Sequence, residues 1–140
     1  MKEIINIKDN LFNTNIALLE LNKNFTLRYD LSFEEQVELI LSSNGFSFVR
    51  GDKLFNELDE YLVDIIKLKC TDFGSFVDLI NKVRGIPDYF VWKESDCFFI
   101  EAKANNDALR THQLIYIKDL ERLGLNTLII IQNKLEEVKD

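Results

Sequence analysis

Between Pro87 and Gln132 the spacing of apolar residues changes period twice, and this constrains the fold more than any other feature of the chain. Two apolar runs, Tyr89 to Trp92 and Cys97 to Ala102, are joined through Lys93, Glu94, Ser95 and Asp96, which predicts a β-hairpin. From about Asp107 to Leu123 the spacing becomes helical and stops at Gly124. Asn126 to Gln132 then returns to a strand, whose Leu-Ile-Ile-Ile run reads as buried on both faces. A hairpin, a helix and a doubly buried strand in that order point to an α/β domain built on a small mixed sheet.

Upstream, Ser32 followed by Glu35 forms a capping box, and Phe33, Val37, Ile40 and Leu41 recur at helical spacing before Gly45. This predicts a helix over about 33–44, and Phe46 to Arg50 reads as a short strand after it. Residues 53–69 place Leu54, Phe55, Leu58, Leu62, Ile65 and Ile66 on one face, and residues 73–83 do the same with Phe73, Phe76, Val77, Ile80 and Val83. These two amphipathic helices make a helical insertion over about 51–84. The first 31 residues say least; they are rich in Asn, and a hairpin turning at Asn22-Lys23-Asn24 fits the alternation of Phe25, Leu27 and Tyr29. The expected architecture is one domain over 1–140 with about four strands, the first helix on one side of the sheet and the late helix packed across it.

With 46% hydrophobic and 11% aromatic residues in 140, the chain has ample material for a core, which excludes disorder as its main state. No apolar run approaches the length of a membrane span, and the N-terminus does not read as a signal peptide. Cys70 and Cys97 are too few for a disulfide framework, a four-cysteine zinc site or an iron-sulfur cluster, so a reduced, cytoplasmic protein is expected. The formal charge of -7 argues at first against nucleic acid. Yet residues 34–64 hold eight acids against only Arg50 and Lys53, and the rest of the chain is near neutral. Divalent cations bound by some of those acids would make the field less hostile to phosphate.

The hairpin carries the chemistry. Asp88 opens its first strand, and Glu101 and Lys103 close its second. Alternation puts Glu101 and Lys103 on one face, roughly 7 Å apart at the backbone, and strands about 5 Å apart let Asp88 meet Glu101 if the register brings their ends together. Two convergent carboxylates can hold a hard cation such as Mg²⁺, and a lysine beside them can orient or deprotonate an attacking water. That set suits phosphodiester hydrolysis. The triplet Glu-x-Lys alone is weak, since Glu137-Val138-Lys139 repeats it in the tail; its weight comes from a charged pair ending an apolar strand opposite a Pro-Asp turn.

Taken together, Gly85-Ile86-Pro87-Asp88, Phe98-Phe99-Ile100-Glu101-Ala102-Lys103, and Gln113 with Tyr116 on a helix resemble the PD-(D/E)xK nuclease superfamily. Within it they are most similar to the virus-type replication-repair nuclease (VRR-NUC) group. The Phe33-Glu34-Glu35 helix start leading to Gly45-Phe46-Ser47-Phe48-Val49-Arg50 is also similar to the opening of archaeal Holliday-junction resolvases. The resemblance covers residues 32–132. It implies a restriction-endonuclease-like core and a Mg²⁺- or Mn²⁺-dependent DNA endonuclease, cytoplasmic, or in the host's cytoplasm for a viral source. Asp88 and Glu101 would hold the metal, the Ala102 carbonyl would add a ligand, and Lys103 would position the nucleophile.

The resemblance also implies a first-helix glutamate that completes the metal site. With Phe33 set to zero and about 100° per residue, Glu34 falls at the border of the apolar stripe, Glu38 somewhat beyond it and Glu35 on the solvent face. Glu34 is the choice, contacting metal through water; the plain alternative is three solvated charges. Gln113 lies inside the apolar stripe of the late helix, where a buried amide needs partners, and the resemblance places it beside the metal; a core amide bonded to backbone is the other reading. His112 flanks that stripe as a partly exposed residue. Phosphate binding would fall to Lys67, Lys69, Lys82, Arg84, Arg110, Lys118 and Arg122. The helical insertion is a departure from the simple resolvases. A homodimer acting on branched or four-way DNA is expected, with a non-catalytic DNA-binding or assembly module on the same fold as the rival and an RNA-directed nuclease further behind.

Overall fold

A computed structural model describes residues 5–8, 32–103 and 108–132. Five strands form one mixed sheet: β1 (Ile5–Lys8), β2 (Ser47–Arg50), β3 (Tyr89–Lys93), β4 (Asp96–Lys103) and β5 (Thr127–Gln132), in the spatial order β1-β5-β4-β3-β2. β2, β3 and β4 pair antiparallel, β4 and β5 pair parallel, and β1 closes the far edge antiparallel to β5. The sequence led to about four strands; the fifth, β1, comes from the segment that reads least clearly. The hairpin expected around Asn22-Lys23-Asn24 lies outside the described residues.

Helix α1 (Phe33–Ser43) begins where expected. Ser32 Oγ accepts from Glu35 N at 3.1 Å, and Glu35 Oε1 accepts from Ser32 N at 3.2 Å. Its apolar stripe packs on one face of the sheet, where Phe33, Val37, Ile40 and Leu41 meet Tyr89, Val91, Phe98, Ile100, Leu128 and Ile130. The opposite face is covered by the insertion and by α5 (Thr111–Arg122), whose Tyr116 and Leu120 share a core with Phe90, Phe99, Leu54, Ile66 and Phe76. The turn of the hairpin is tighter than the sequence implied, with β3 and β4 separated only by Glu94 and Ser95, and Glu94 takes a φ of 57°.

The expected two-helix insertion is corrected to three helices behind a short 3-10 turn (Gly51–Lys53): α2 (Leu54–Glu57), α3 (Glu60–Lys67) and α4 (Phe73–Ile80). The helix expected over 53–69 breaks because Leu58 is extended, with ψ at 116°, and Asp59 starts a new helix by accepting from Leu62 N at 2.8 Å. An aspartate cap satisfies one of the orphan donors of the next turn, so the chain leaves one helix and opens another without changing the apolar stripe. Helix α4 stops at Ile80, not residue 83, and α5 begins at Thr111, with residues 104–107 outside the description. Tyr116 OH donates to the Leu79 carbonyl at 2.6 Å and Thr71 N donates to the Leu123 carbonyl at 2.9 Å, which ties the insertion to α5 at both ends. Among the described residues no helix is long and apolar enough to cross a membrane.

Candidate active site

The hairpin register positions the acids. Tyr89 lies opposite Ile100, so Asp88, one residue before β3, falls beside Glu101. The two clasp across the strands: Asp88 N donates to Glu101 Oε1 at 3.3 Å, and Ala102 N donates to Asp88 Oδ2 at 2.8 Å. A third strand end holds the turn in place, since Gly51 N donates to the Asp88 carbonyl at 2.8 Å. Any side chain at Gly51 would put its Cβ 1.9 Å from the Pro87 carbonyl oxygen, so only glycine allows that approach. Sequence reasoning missed Gly51, whose role depends on a contact 36 positions away.

Alternation along β4 sends Glu101 and Lys103 to the face that carries Phe99, under α5. There Lys103 Nζ lies 3.8 Å from Glu101 Oε2 and donates to Gln113 Oε1 at 2.8 Å. Gln113 Oε1 also accepts from Arg110 N at 2.9 Å, so one amide oxygen caps the first turn of α5 and holds the lysine. Half-buried Gln113 thus has a backbone partner on one side and Lys103 on the other.

Glu101 is 1% exposed, and its Oε2 has no hydrogen-bond partner among the described residues. Burial pushes its carboxyl up to about 8; the neighbouring Asp88 adds to the rise and Lys103 opposes it. A buried carboxylate oxygen without a donor is costly unless something cationic meets it. Asp88 and Glu101 together fit a hard divalent cation that keeps several waters, since Mg²⁺ sites commonly use only one or two carboxylates. Ala102 fits the same role by backbone geometry. Its N–H points toward the start of β3, its carbonyl points to the same side, and the residue in register there is Pro87, which has no N–H to offer.

Glu34 is not brought to this pair. Its Oε2 lies 3.3 Å from Arg50 Nη1, and the same nitrogen lies 3.8 Å from Glu38 Oε2. The Arg50 guanidinium sits 5.3 Å over the Tyr89 ring, and buried Tyr89 donates its OH to Glu38 Oε2 at 2.7 Å. Burial, then the Glu38 contact, raises the Tyr89 phenol far above its ordinary range. Tyr89 belongs to the core under α1, so this cluster occupies the other face of the sheet from Glu101 and Lys103. Among the described residues no group of three or more His, Cys, Asp and Glu side chains is placed to hold a metal ion. Helical phase identified the border position of Glu34 but could not show that Arg50, at the end of β2, would occupy it. His112 is half-buried with its carbonyl and ring edge against Gly85, which has a φ of 90°.

No protein-family model matches the chain, and no curated protein or solved structure matches it significantly.

Proposed function

We propose that the chain is a Mg²⁺- or Mn²⁺-dependent DNA endonuclease of the PD-(D/E)xK type, built on a restriction-endonuclease-like core and related to the VRR-NUC group. The observation that carries this reading is the clasp of Asp88 and Glu101 with a buried, unpartnered Glu101 Oε2 and an ammonium 3.8 Å away.

Asp88 and Glu101 hold the cation, with the Ala102 carbonyl as a further ligand. When bound, the ion supplies Lewis acidity toward a phosphoryl oxygen and makes an attacking water more acidic. Lys103, anchored by Gln113, orients that water through its ammonium. Gln113 keeps the ammonium at the Glu101 end of the site. Branched or four-way DNA is the substrate class this reading carries forward, with two copies of the chain acting together.

The test is cleavage of labelled linear, single-stranded, flapped and four-way DNA in Mg²⁺, Mn²⁺ or EDTA. Cleavage is expected only with metal, and Asp88→Asn, Glu101→Gln and Lys103→Ala should each abolish it while keeping the circular-dichroism spectrum of the parent. Full cleavage by folded Glu101→Gln would remove the proposed site. Binding without cleavage under every metal condition would favour the non-catalytic module.

A further inference from the structure

Seven cations could have served phosphate from sequence alone, and the structure separates them. Lys69 Nζ is engaged by Asp96 Oδ1 and by the Cys97 carbonyl, Arg122 pairs with Asp119 at 2.9 Å, and Lys67 lies 5.0 Å over the Phe73 ring. Lys82, Arg84, Arg110 and Lys118 are exposed and make no ion pair among the described residues, and the first three lie next to the candidate site in the chain or through Gln113. The segment that carries Lys82 and Arg84 meets the segment that carries Arg110 at one backbone contact. The Gly85 backbone packs so closely on His112 that an added Cβ would lie 3.0 Å from the His112 carbonyl oxygen and 3.1 Å from its ring Cδ2. That contact joins the turn after α4, where Ile86 N donates to the Val83 carbonyl, to the first turn of α5.

The joined segments differ in charge from the rest of the chain. Residues 79–87 and 108–118 contain Lys82, Arg84, Arg110 and Lys118 with His112 and no Asp or Glu, and they are bounded in the chain by Asp78, Asp88, Asp107 and Asp119. The seam also adjoins the candidate site on both sides. Arg84 is four residues before Asp88, and Arg110 donates its backbone N–H to the Gln113 oxygen that holds Lys103. The N-terminal end of α5 adds its own positive partial charge in the same place.

We propose that the seam between residues 82–86 and the first turn of α5, with Arg84 and Arg110 as its principal cations and Lys82 and His112 beside them, grips the DNA phosphodiester backbone next to the phosphate to be cut. The inference rests on the nuclease reading for its neighbour, the scissile phosphate, but its own content is the path of the strand. Exposed arginines bind phosphates as a row of contacts independent of base sequence. A strand lying on the seam runs from the α4–β3 turn across the start of α5, which presents the next phosphate to the Asp88 and Glu101 end of the hairpin.

The experiment uses the full chain carrying Glu101→Gln, so that binding is read without cleavage. Fluorescence anisotropy of a labelled DNA single strand and of the matching duplex is followed across a series of NaCl concentrations. Adding Arg84→Ala and Arg110→Ala should reduce the magnitude of the log Kd against log salt slope by about 1.4 to 1.8, since each lost phosphate contact is worth roughly 0.7 to 0.9. Arg84→Lys with Arg110→Lys should largely restore the slope. Lys93→Ala, which removes a cation from the far end of β3, should leave it unchanged. An unchanged slope in the arginine pair, or a loss of equal size in Lys93→Ala, overturns the seam. If the unaltered chain still cleaves DNA with metal in that case, the nuclease reading survives while the seam fails. A slope that falls as expected in a chain that never cleaves upholds the seam and removes the nuclease.

Discussion

At the scale of single residues, Glu101 decides most. An unfolded glutamate titrates near about 4.3, whereas burial and Asp88 hold the folded carboxyl up to about 8. Between those values the unfolded chain has released a proton that the folded chain keeps. The contribution of this group to stability is therefore fully present below about pH 4 and is lost as pH rises through about 8, a change on the order of a few kcal/mol. Urea denaturation in EDTA should show the metal-free protein losing stability between pH 5 and pH 8. Glu101→Gln should flatten that dependence, and millimolar Mg²⁺ should restore stability at pH 8, because a cation bound only by the folded state stabilises it. A flat pH profile for the unaltered chain in EDTA would contradict the buried, unpartnered acid. Asp88, Glu101 and Lys103 could be placed on one side of the sheet from sequence because two-residue alternation and a Pro-Asp turn fix that side before any long-range contact forms, and Gln113 was singled out by its place in the helical stripe of α5. Gly51 and Arg50 were not, since each matters through a residue far away in the chain, Pro87 for one and Glu34 for the other.

At the scale of elements, periodicity reads helices and strands well and their breaks poorly. The α1 cap, the β3–β4 hairpin, the late helix and the last strand form close to where the pattern put them, because each combines a local signal with a strong apolar stripe, whereas the parallel pairing of β4 with β5 was not read from it. The break at Leu58 and Asp59 was hidden because the stripe runs through it; Leu62, Ile65 and Ile66 continue on the face begun by Leu54. The same kind of limit applies to α1. Its phase ranks Glu34 nearest the core border, but the element packs with that border toward Arg50 and Tyr89, away from Glu101. Glu34 and Arg50 are both about half exposed, so their ion pair is worth about 0.5 kcal/mol or less. Glu34→Gln should therefore leave the melting temperature nearly unchanged and lower metal-dependent turnover at least about tenfold less than Asp88→Asn, a gap of about 1.4 kcal/mol in the activation barrier. Equal loss in the two variants would return Glu34 to the metal's water shell.

At the scale of the whole molecule, charge and surface bear on how many copies act together. A chain with a net charge of -7 grips a duplex weakly by itself. Two copies would double the phosphate contacts and set two hydrolytic sites against two strands, the arrangement a branched substrate needs. Most of the insertion's apolar surface is spent on the sheet, where Leu54, Leu62, Ile65, Ile66, Phe76 and Ile80 are buried. A remainder is still concentrated there. Of the six large apolar side chains exposed among the described residues, Phe55, Tyr61, Leu68 and Val83 lie within the insertion, and Leu68 is 69% exposed. Light scattering should thus give twice the 16.4 kDa of the single chain at micromolar concentration. Leu68→Glu combined with Tyr61→Glu should shift the mass toward the single chain without unfolding it, because neither side chain is part of the buried core, and should weaken cutting of four-way DNA more than cutting of linear duplex. A single-chain mass for the unaltered protein, together with equal cutting of linear and four-way DNA at matched salt, would sink the paired arrangement. It would leave Asp88, Glu101 and Lys103 as they stand, since both acids and the lysine that complete the candidate site come from one chain.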